Sequence, residues 1–250
     1  MEAFLKEIEE KKSLLDSKRP LPEYTVKSIR ENLLLEWTYN SNAIEGNTLT
    51  FKETKVVLEG ITVGGKTLRE HLEVINHKEA ILYVEEIVKD KEPLSEWQIK
   101  NIHRLVLKGI YDEYAGTYRN QNVIISGVEH KPPNFLVVPK EMEKLIEWYK
   151  TGTQNLHPVE RAAYLHGKFI GIHLFVDGNG RTARLLLNLE LMKDGYVPIV
   201  IQNNKRIEYY NALDKAHTTN NYNDFIKLVA QEVKRSLDQY LELIDSSYNH

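Results

Sequence analysis

From His173 to Arg184 the chain reads HLFVDGNGRTAR, and it continues directly into the apolar run LLLNLELM. A histidine, an acid, a Gly-Asn-Gly and two arginines thus open a segment that belongs in a core. Buried charge is costly unless it is paired or put to use. Gly178, Asn179 and Gly180 stand where the apolar helix should begin, so their backbone N–H groups face outward unpaired. Such an end attracts anions, and glycine lets an anion approach the backbone closely. Arg181 and Arg184 lie three apart and flank the same end. Cations there are disfavoured by about 0.3–1 kcal/mol each, a small penalty that a bound polyphosphate would offset. Asp177 beside an anion site is repulsive unless a divalent cation lies between, and magnesium commonly takes one or two carboxylates plus substrate phosphates. His173, as a neutral imidazole, could take a proton from an incoming hydroxyl, a step worth about 10²–10⁴-fold. The parts add up to nucleotide, metal and general base, the equipment of phosphoryl or nucleotidyl transfer. Simple helix capping accounts for any one of these residues, but poorly for all of them at this spacing.

Helices must position them. MEAFLKEIEEKKSLLDS reads as an amphipathic helix, broken by the two prolines of KRPLPE. TVKSIRENLLLEWTYNSNAI carries Ile29, Leu33, Leu34, Trp37 and Ile44 as a helical stripe. FKETKVVLE predicts a short helix, and Thr67 to Lys89 a long one bearing Leu72, Val74, Ile75, Ala80, Ile81 and Val84. SEWQIKNIHRLVLKGI has Ser95 as N-cap and Gly109 as its end. Asn122 to Val138 is rich in β-formers around a Gly, His and Pro-Pro tip, which predicts a two-stranded hairpin. Helices resume at Lys140, Pro158 opens HPVERAAYLHGKFIGI at a first helical position, and a last helix runs from Asp224 to Ile244. The expected fold is all-α with one small β-hairpin flap and a soft boundary near Asp90 to Pro93.

Composition narrows the class. The 250 residues are 42% apolar, with 33 Lys and Arg against 36 Asp and Glu, a net charge of -3. That balance suits an ordinary globular chain and gives no basic excess for nucleic acid. Cysteine is absent, which removes disulfides and thiolate zinc sites. With neither a signal-like start nor an apolar run long enough to span a bilayer, the expectation is a cytoplasmic protein with no membrane partner. GITVGGKT, from Gly60 to Thr67, matches the phosphate-loop pattern letter for letter. The alternating strands and helices that such a loop requires are missing, so a Gly-rich turn is the better reading.

HLFVDGNGRTAR resembles the signature of Fic-domain proteins, His-x-Phe-x-Asp/Glu-Gly-Asn-Gly-Arg-x-x-Arg, with every fixed position met. The resemblance extends from about Leu33 to Ile226, and Leu174 departs from the proline of many members. It implies the Fic helical bundle and a protein adenylyltransferase, moving AMP from ATP onto a Ser, Thr or Tyr hydroxyl of a target protein. His173 would then be the base and Asp177 the ligand of magnesium, or of manganese in its place. Gly178, Asn179 and Gly180 would form the anion hole. Arg181 and Arg184 would hold the phosphates, with Thr182 and Ala183 completing the nucleotide-binding stretch. Phe175 would anchor the loop. Glycine at 180, where Doc-like kinases of the family carry lysine, favours AMP transfer. Tyr209 and Tyr210 fall where relatives contact adenine and ribose, and His217 where some use Asn. Gly116, Tyr118 and Arg119 resemble the lead-in to the flap, whose Val123, Ile124, Ile125, Ser126 and Gly127 would dock the target by strand addition.

SNAIEGN, from Ser41 to Asn47, is similar to the family's inhibitory motif Ser-x-x-x-Glu-Gly in the N-terminal, class II layout. Ser41, Glu45 and Gly46 would then be inhibitory, with Glu45 paired to Arg184 against ATP. In some relatives the same glutamate also orients water for AMP removal. The implied organisation is an N-terminal region over 1–92 carrying the inhibitory helix, a Fic domain over 93–220 and a C-terminal helix over 221–250. A homodimer is the expected assembly, being common in the family and generally. Rival readings are a catalytically silent nucleotide-binding regulator and transfer of another phosphate-containing group, phosphate or phosphocholine. A DNA-binding regulator would need a module beyond the last helix, and a metal hydrolase would need paired histidines on one helix.

Overall fold

The computed structural model describes residues 1–21 and 23–248 in backbone, and side chains as far as residue 245. Ten α-helices and two short 3-10 turns make up its regular structure among the described residues, with no strand. In order these are α1 (Glu2–Ser17), α2 (Glu23–Ile44), α3 (Phe51–Leu58), α4 (Leu68–Lys89), α5 (Glu96–Leu107), α6 (Val138–Thr151), α7 (Pro158–Ile172), α8 (Asn179–Lys193), α9 (Arg206–Thr219) and α10 (Asn223–Tyr248). Local chemistry sets several starts. Thr50 with Glu53, and Thr67 with Glu70, form capping boxes, and His157 with Glu160 caps α7 ahead of Pro158. Ser95 caps α5. The segment 60–67 is a turn after a helix, and Lys66 is spent on the Thr48 carbonyl at 2.6 Å. None of the helices among the described residues is long and apolar enough to cross a membrane.

α8 is the axis. Arg181 through Leu191 are all buried, so apolar side chains leave it on every side, as a helix enclosed by others requires. It packs along α7 and against α4 and α5. Leu187 and Leu191 join one apolar core with α1, α9 and α10. Ala183, Leu185, Leu186 and Leu189 join a second with α4, α5 and α6, to which α2 adds Trp37. Ile87 and Leu94, on either side of Asp90 to Pro93, are both buried in this second core.

The expected hairpin is not present as a ladder. Residues 122–134 form an irregular segment instead. Pro132 and Pro133 remove two donors that a ladder would need, and several other backbone groups of the segment are bonded to side chains instead. Asn122 Oδ1 accepts from Phe135 N at 3.0 Å, closing the segment at its base. Asp214 of α9 accepts from Glu129 N and His130 N at 3.0 and 2.9 Å. Arg119 donates to the carbonyls of Gln121 and Pro133. The flap is thus tied to α9 and to Arg119 rather than to a partner strand.

Candidate active site

α7 stops at Ile172, and His173 adopts a left-handed conformation, φ 52°, that turns the chain out of the helix. Gly178, at φ 76°, turns it back into α8. Between them the loop is clamped by Asn179, whose amide donates to Phe175 O at 2.8 Å and accepts from Phe175 N at 3.0 Å. The Asn179 side chain therefore points into the loop, and only its backbone can serve an anion. Phe175 is fully buried and stacks on His103 with ring centroids 3.5 Å apart. His103 accepts from Gly116 N at Nδ1 (2.9 Å), so its Nε2 carries the proton and donates to Asp177 O at 2.8 Å. Arg119 Nε holds the His173 carbonyl at 2.8 Å. Neither His103 nor its role announces itself in the sequence, because its partners lie far along the chain.

Around this loop the charged residues converge. Asp177 Oδ1 accepts from Gly178 N at 2.6 Å and Arg181 Nη2 at 3.2 Å, while Oδ2 accepts from Arg69 Nη2 at 2.7 Å. Burial opposes its ionisation, but the charges of Arg181 and Arg69 and the Gly178 N–H outweigh that and hold its carboxyl below the usual range. Arg184 is buried. It donates to Ser41 Oγ at 3.0 Å, Ser41 O at 2.8 Å and Glu45 Oε1 at 2.7 Å. Gly46, at φ 99°, ends α2 just after Glu45. The Glu45 carboxylate lies against Gly180 so closely that a Cβ there would collide with Oε1. An internal carboxylate thus sits at the N-terminal end of α8, on the glycine that an external anion would approach.

A cavity of about 220 Å³ opens beside it, lined by Glu45, His173, Gly180, Tyr210, Leu213 and His217 among others. That is below the 300–1,000 Å³ usual for small-molecule sites, and Glu45 forms part of its wall. A groove of about 710 Å³ between α2 and α10 is larger but carries none of the motif residues. Ile125 and Ser126 of the flap reach the cavity, whereas Ile124 is 94% exposed, Gly127 lies in the open, and Val123 is half-buried. Tyr209 and Tyr210 differ. Tyr209 is fully buried, with its hydroxyl near His166 Nε2 at 3.0 Å and Arg184 at 3.4 Å. Both line the cavity, and Tyr210 donates to Ile44 O at 3.2 Å. Thr182 and Ala183, expected with the nucleotide residues, are instead fully buried in the bundle. Thr182 is two residues from both Gly180 and Arg184, which puts it on the opposite side of the helix.

His173 is half-buried, and its Nδ1 is enclosed without a partner, leaving Nε2 to meet a substrate. Burial, aided by the nearby Arg119 charge, lowers its pKa to about 4, so the imidazole is neutral at pH 7. Burial likewise depresses His77, His103, His166 and His217 from their ordinary 6.5. Unfolded, each of these histidines would bind its proton at a higher pH than in the fold. Between those two pKa values the unfolded chain holds more protons, so stability rises with pH. The contribution is complete above about pH 6.5 and is lost as pH falls toward the folded values, at no more than ~1.4 kcal/mol per pH unit for each group. The melting temperature should therefore drop on going from pH 7 to pH 5. A flat profile over that range would refute the assignment of neutral buried histidines.

A helical bundle that presents this loop at the head of its central helix defines a protein class. The Fic/DOC family pattern matches residues 93–191. The fold superposes on Fic-1 from C. elegans with TM-score 0.88 and 30% identity, covering 98% of this chain and 72% of that one. It also superposes on a Fic domain containing signaling protein from Bacteroides thetaiotaomicron, with TM-score 0.87, 32% identity and coverage of 97% and 98%. Protein adenylyltransferase Fic from Nematostella vectensis is 38% identical over 95% of this chain and 56% of its own length. The chain belongs to the Fic/DOC family. It spans about half the length of the curated relatives it matches, 56% of the Nematostella protein and 43% of C. elegans fic-1.

Proposed function

We propose that this chain transfers AMP from ATP to a Ser, Thr or Tyr hydroxyl of a protein, and that Glu45 holds it in a repressed state. The observation that carries the reading is the Glu45 carboxylate seated on Gly180 and bonded to Arg184 at 2.7 Å. The same corner that receives this internal anion would receive the phosphates of a nucleotide. The relatives' name, protein adenylyltransferase, supports the reaction type. In the transfer, neutral His173 Nε2 takes the proton of the target hydroxyl as its oxygen attacks the α-phosphorus. The bond from that phosphorus to the oxygen bridging toward the β-phosphate breaks, and pyrophosphate leaves. The N–H groups at the head of α8 face the phosphate oxygens. Arg184 takes the γ-phosphate once Glu45 withdraws. Arg119 and Asn179 keep the loop in place through their bonds to His173 O and Phe175.

Asp177 is suited to a divalent cation. Its carboxyl is held ionised, and among the described residues no cluster of three or more His, Cys, Asp and Glu side chains offers an all-protein site. One carboxylate completed by phosphate oxygens and water is an arrangement that magnesium or manganese accepts. When bound, the ion would neutralise charge on the departing pyrophosphate. Glu45 lines the cavity with His173, which supports a role in orienting water for removal of AMP from the modified protein. The reaction type is tested with ATP labelled on either the α- or the γ-phosphate, using Glu45→Gly with magnesium. Label should enter protein from the α-position only. Label from the γ-position would make the chain a kinase and overturn the reading.

A further inference from the structure

Asp177 is the one proposed metal ligand, yet each of its carboxylate oxygens already faces an arginine. On Oδ1 the partner is Arg181, whose side chain is 2% exposed and which also reaches Glu73 at 3.3 Å. That side is fixed. On Oδ2 the partner is Arg69, whose side chain is 46% exposed. Arg69 is carried by α4, spends Nε on Glu73 at 3.0 Å and Nη1 on the Tyr111 hydroxyl at 3.1 Å, and lies over the Tyr111 ring at 5.2 Å. The outer oxygen is the one a cation from solution can reach, and a monovalent guanidinium stands on it.

Resting on the reading of Asp177 as a metal ligand, we propose that Arg69 is a positioning residue that occupies the divalent cation's place on Asp177 Oδ2 until metal and nucleotide arrive. Arg69 keeps the carboxylate turned toward the site and neutralises it, then yields to the ion. The geometry suits exchange. Exposed ion pairs contribute little to stability, so the Arg69–Asp177 pair is easily opened, and Glu73 and Tyr111 give the displaced guanidinium a resting place. The buried Arg181 cannot move away in the same manner, so the metal meets one free oxygen of a carboxylate whose other oxygen stays anchored.

Loss of Arg69 should act in opposite directions with and without metal. In EDTA, losing Arg69 leaves Asp177 unneutralised beside the phosphates, so nucleotide binding weakens. In Mn2+, no guanidinium has to be displaced, so binding tightens. Anisotropy of a fluorescent, non-hydrolysable ATP analogue measures both in the Glu45→Gly chain with and without Arg69→Ala. The ratio of Kd in EDTA to Kd in saturating Mn2+ should rise about three- to tenfold on loss of Arg69, the scale of a surface to partly buried ion pair. Arg69→Lys should restore the parent ratio, and Arg69→Gln, which keeps most of the stem, should behave as Arg69→Ala. Affinity that moves in the same direction under both conditions, or not at all, overturns the proposal and makes Arg69 a phosphate contact or a structural residue. If the Glu45→Gly parent itself binds the analogue equally in Mn2+ and EDTA, the metal role of Asp177 falls, and this inference with it.

Discussion

Glu45→Gly, incubated with ATP and magnesium, is expected to gain the mass of AMP, while the unaltered chain gains little or none. In the resting structure Arg184 is committed to Glu45 and to Ser41. A γ-phosphate can have that guanidinium only if the carboxylate leaves, and a charge-assisted hydrogen bond is worth about 1.5–3 kcal/mol. At 1.4 kcal/mol per tenfold, release should raise transfer by about ten- to a hundredfold. The variant should fold. Arg184 keeps its bonds to the Ser41 hydroxyl and carbonyl, and the space vacated lies beside an open cavity rather than in a sealed core. Intact-mass spectrometry reads the result directly, and equal modification of both chains would end the claim of inhibition.

The second large effect is expected from His173→Ala in the Glu45→Gly background. Loss of the base should reduce AMP transfer by about 10²–10⁴-fold, with nucleotide affinity changed far less. The distinction matters because His173 also ends α7, where its backbone takes a left-handed turn and its carbonyl is held by Arg119. Alanine tolerates that turn less readily than histidine, so loop order should be checked by the melting temperature. A variant that melts normally, binds nucleotide and transfers no AMP isolates the proton acceptor. One that still transfers AMP at the parent rate would remove His173 from the mechanism.

The run from His173 to Arg184 was open to reading because its physics is local. A helix start, glycines that admit an anion and two arginines three apart all follow from adjacent residues, and the placement of Gly178 at the N-cap agrees. Ser41 and Glu45 were visible only through the family resemblance. Nothing within SNAIEGN says that its carboxylate will meet an arginine 139 positions later. The flap misled for the converse reason. NVIIS has strong β propensity, but propensity expresses itself only where a partner strand exists, and here Asn122, Arg119 and Asp214 satisfy the backbone instead. His103 and Arg69 are silent in the sequence because each acts across a long separation, 74 residues from His103 to Asp177 and 108 from Arg69 to Asp177. Thr182 and Ala183 stand inside the motif, although the helical period turns them into the bundle.

The way α2 ends bears on how sharply the proposed repression can be set. Ile44 is fully buried, Ser41 and Asn42 are nearly so, and the Asn42 amide is bonded to Thr38 O and Glu73 O at 3.0 and 3.3 Å. The segment that carries Glu45 is therefore built into the bundle and cannot lift off as a lid. The Glu45 side chain, 31% exposed, can change rotamer by giving up its bond to Arg184. Rotamer hops of accessible side chains take picoseconds to nanoseconds, far faster than turnover. The proposed off state would then be a population ratio in continuous equilibrium, with basal transfer a leak proportional to the minor rotamer. A signal that frees Arg184 need supply about 1.5–3 kcal/mol, the worth of the Glu45 hydrogen bond, and need not move a helix.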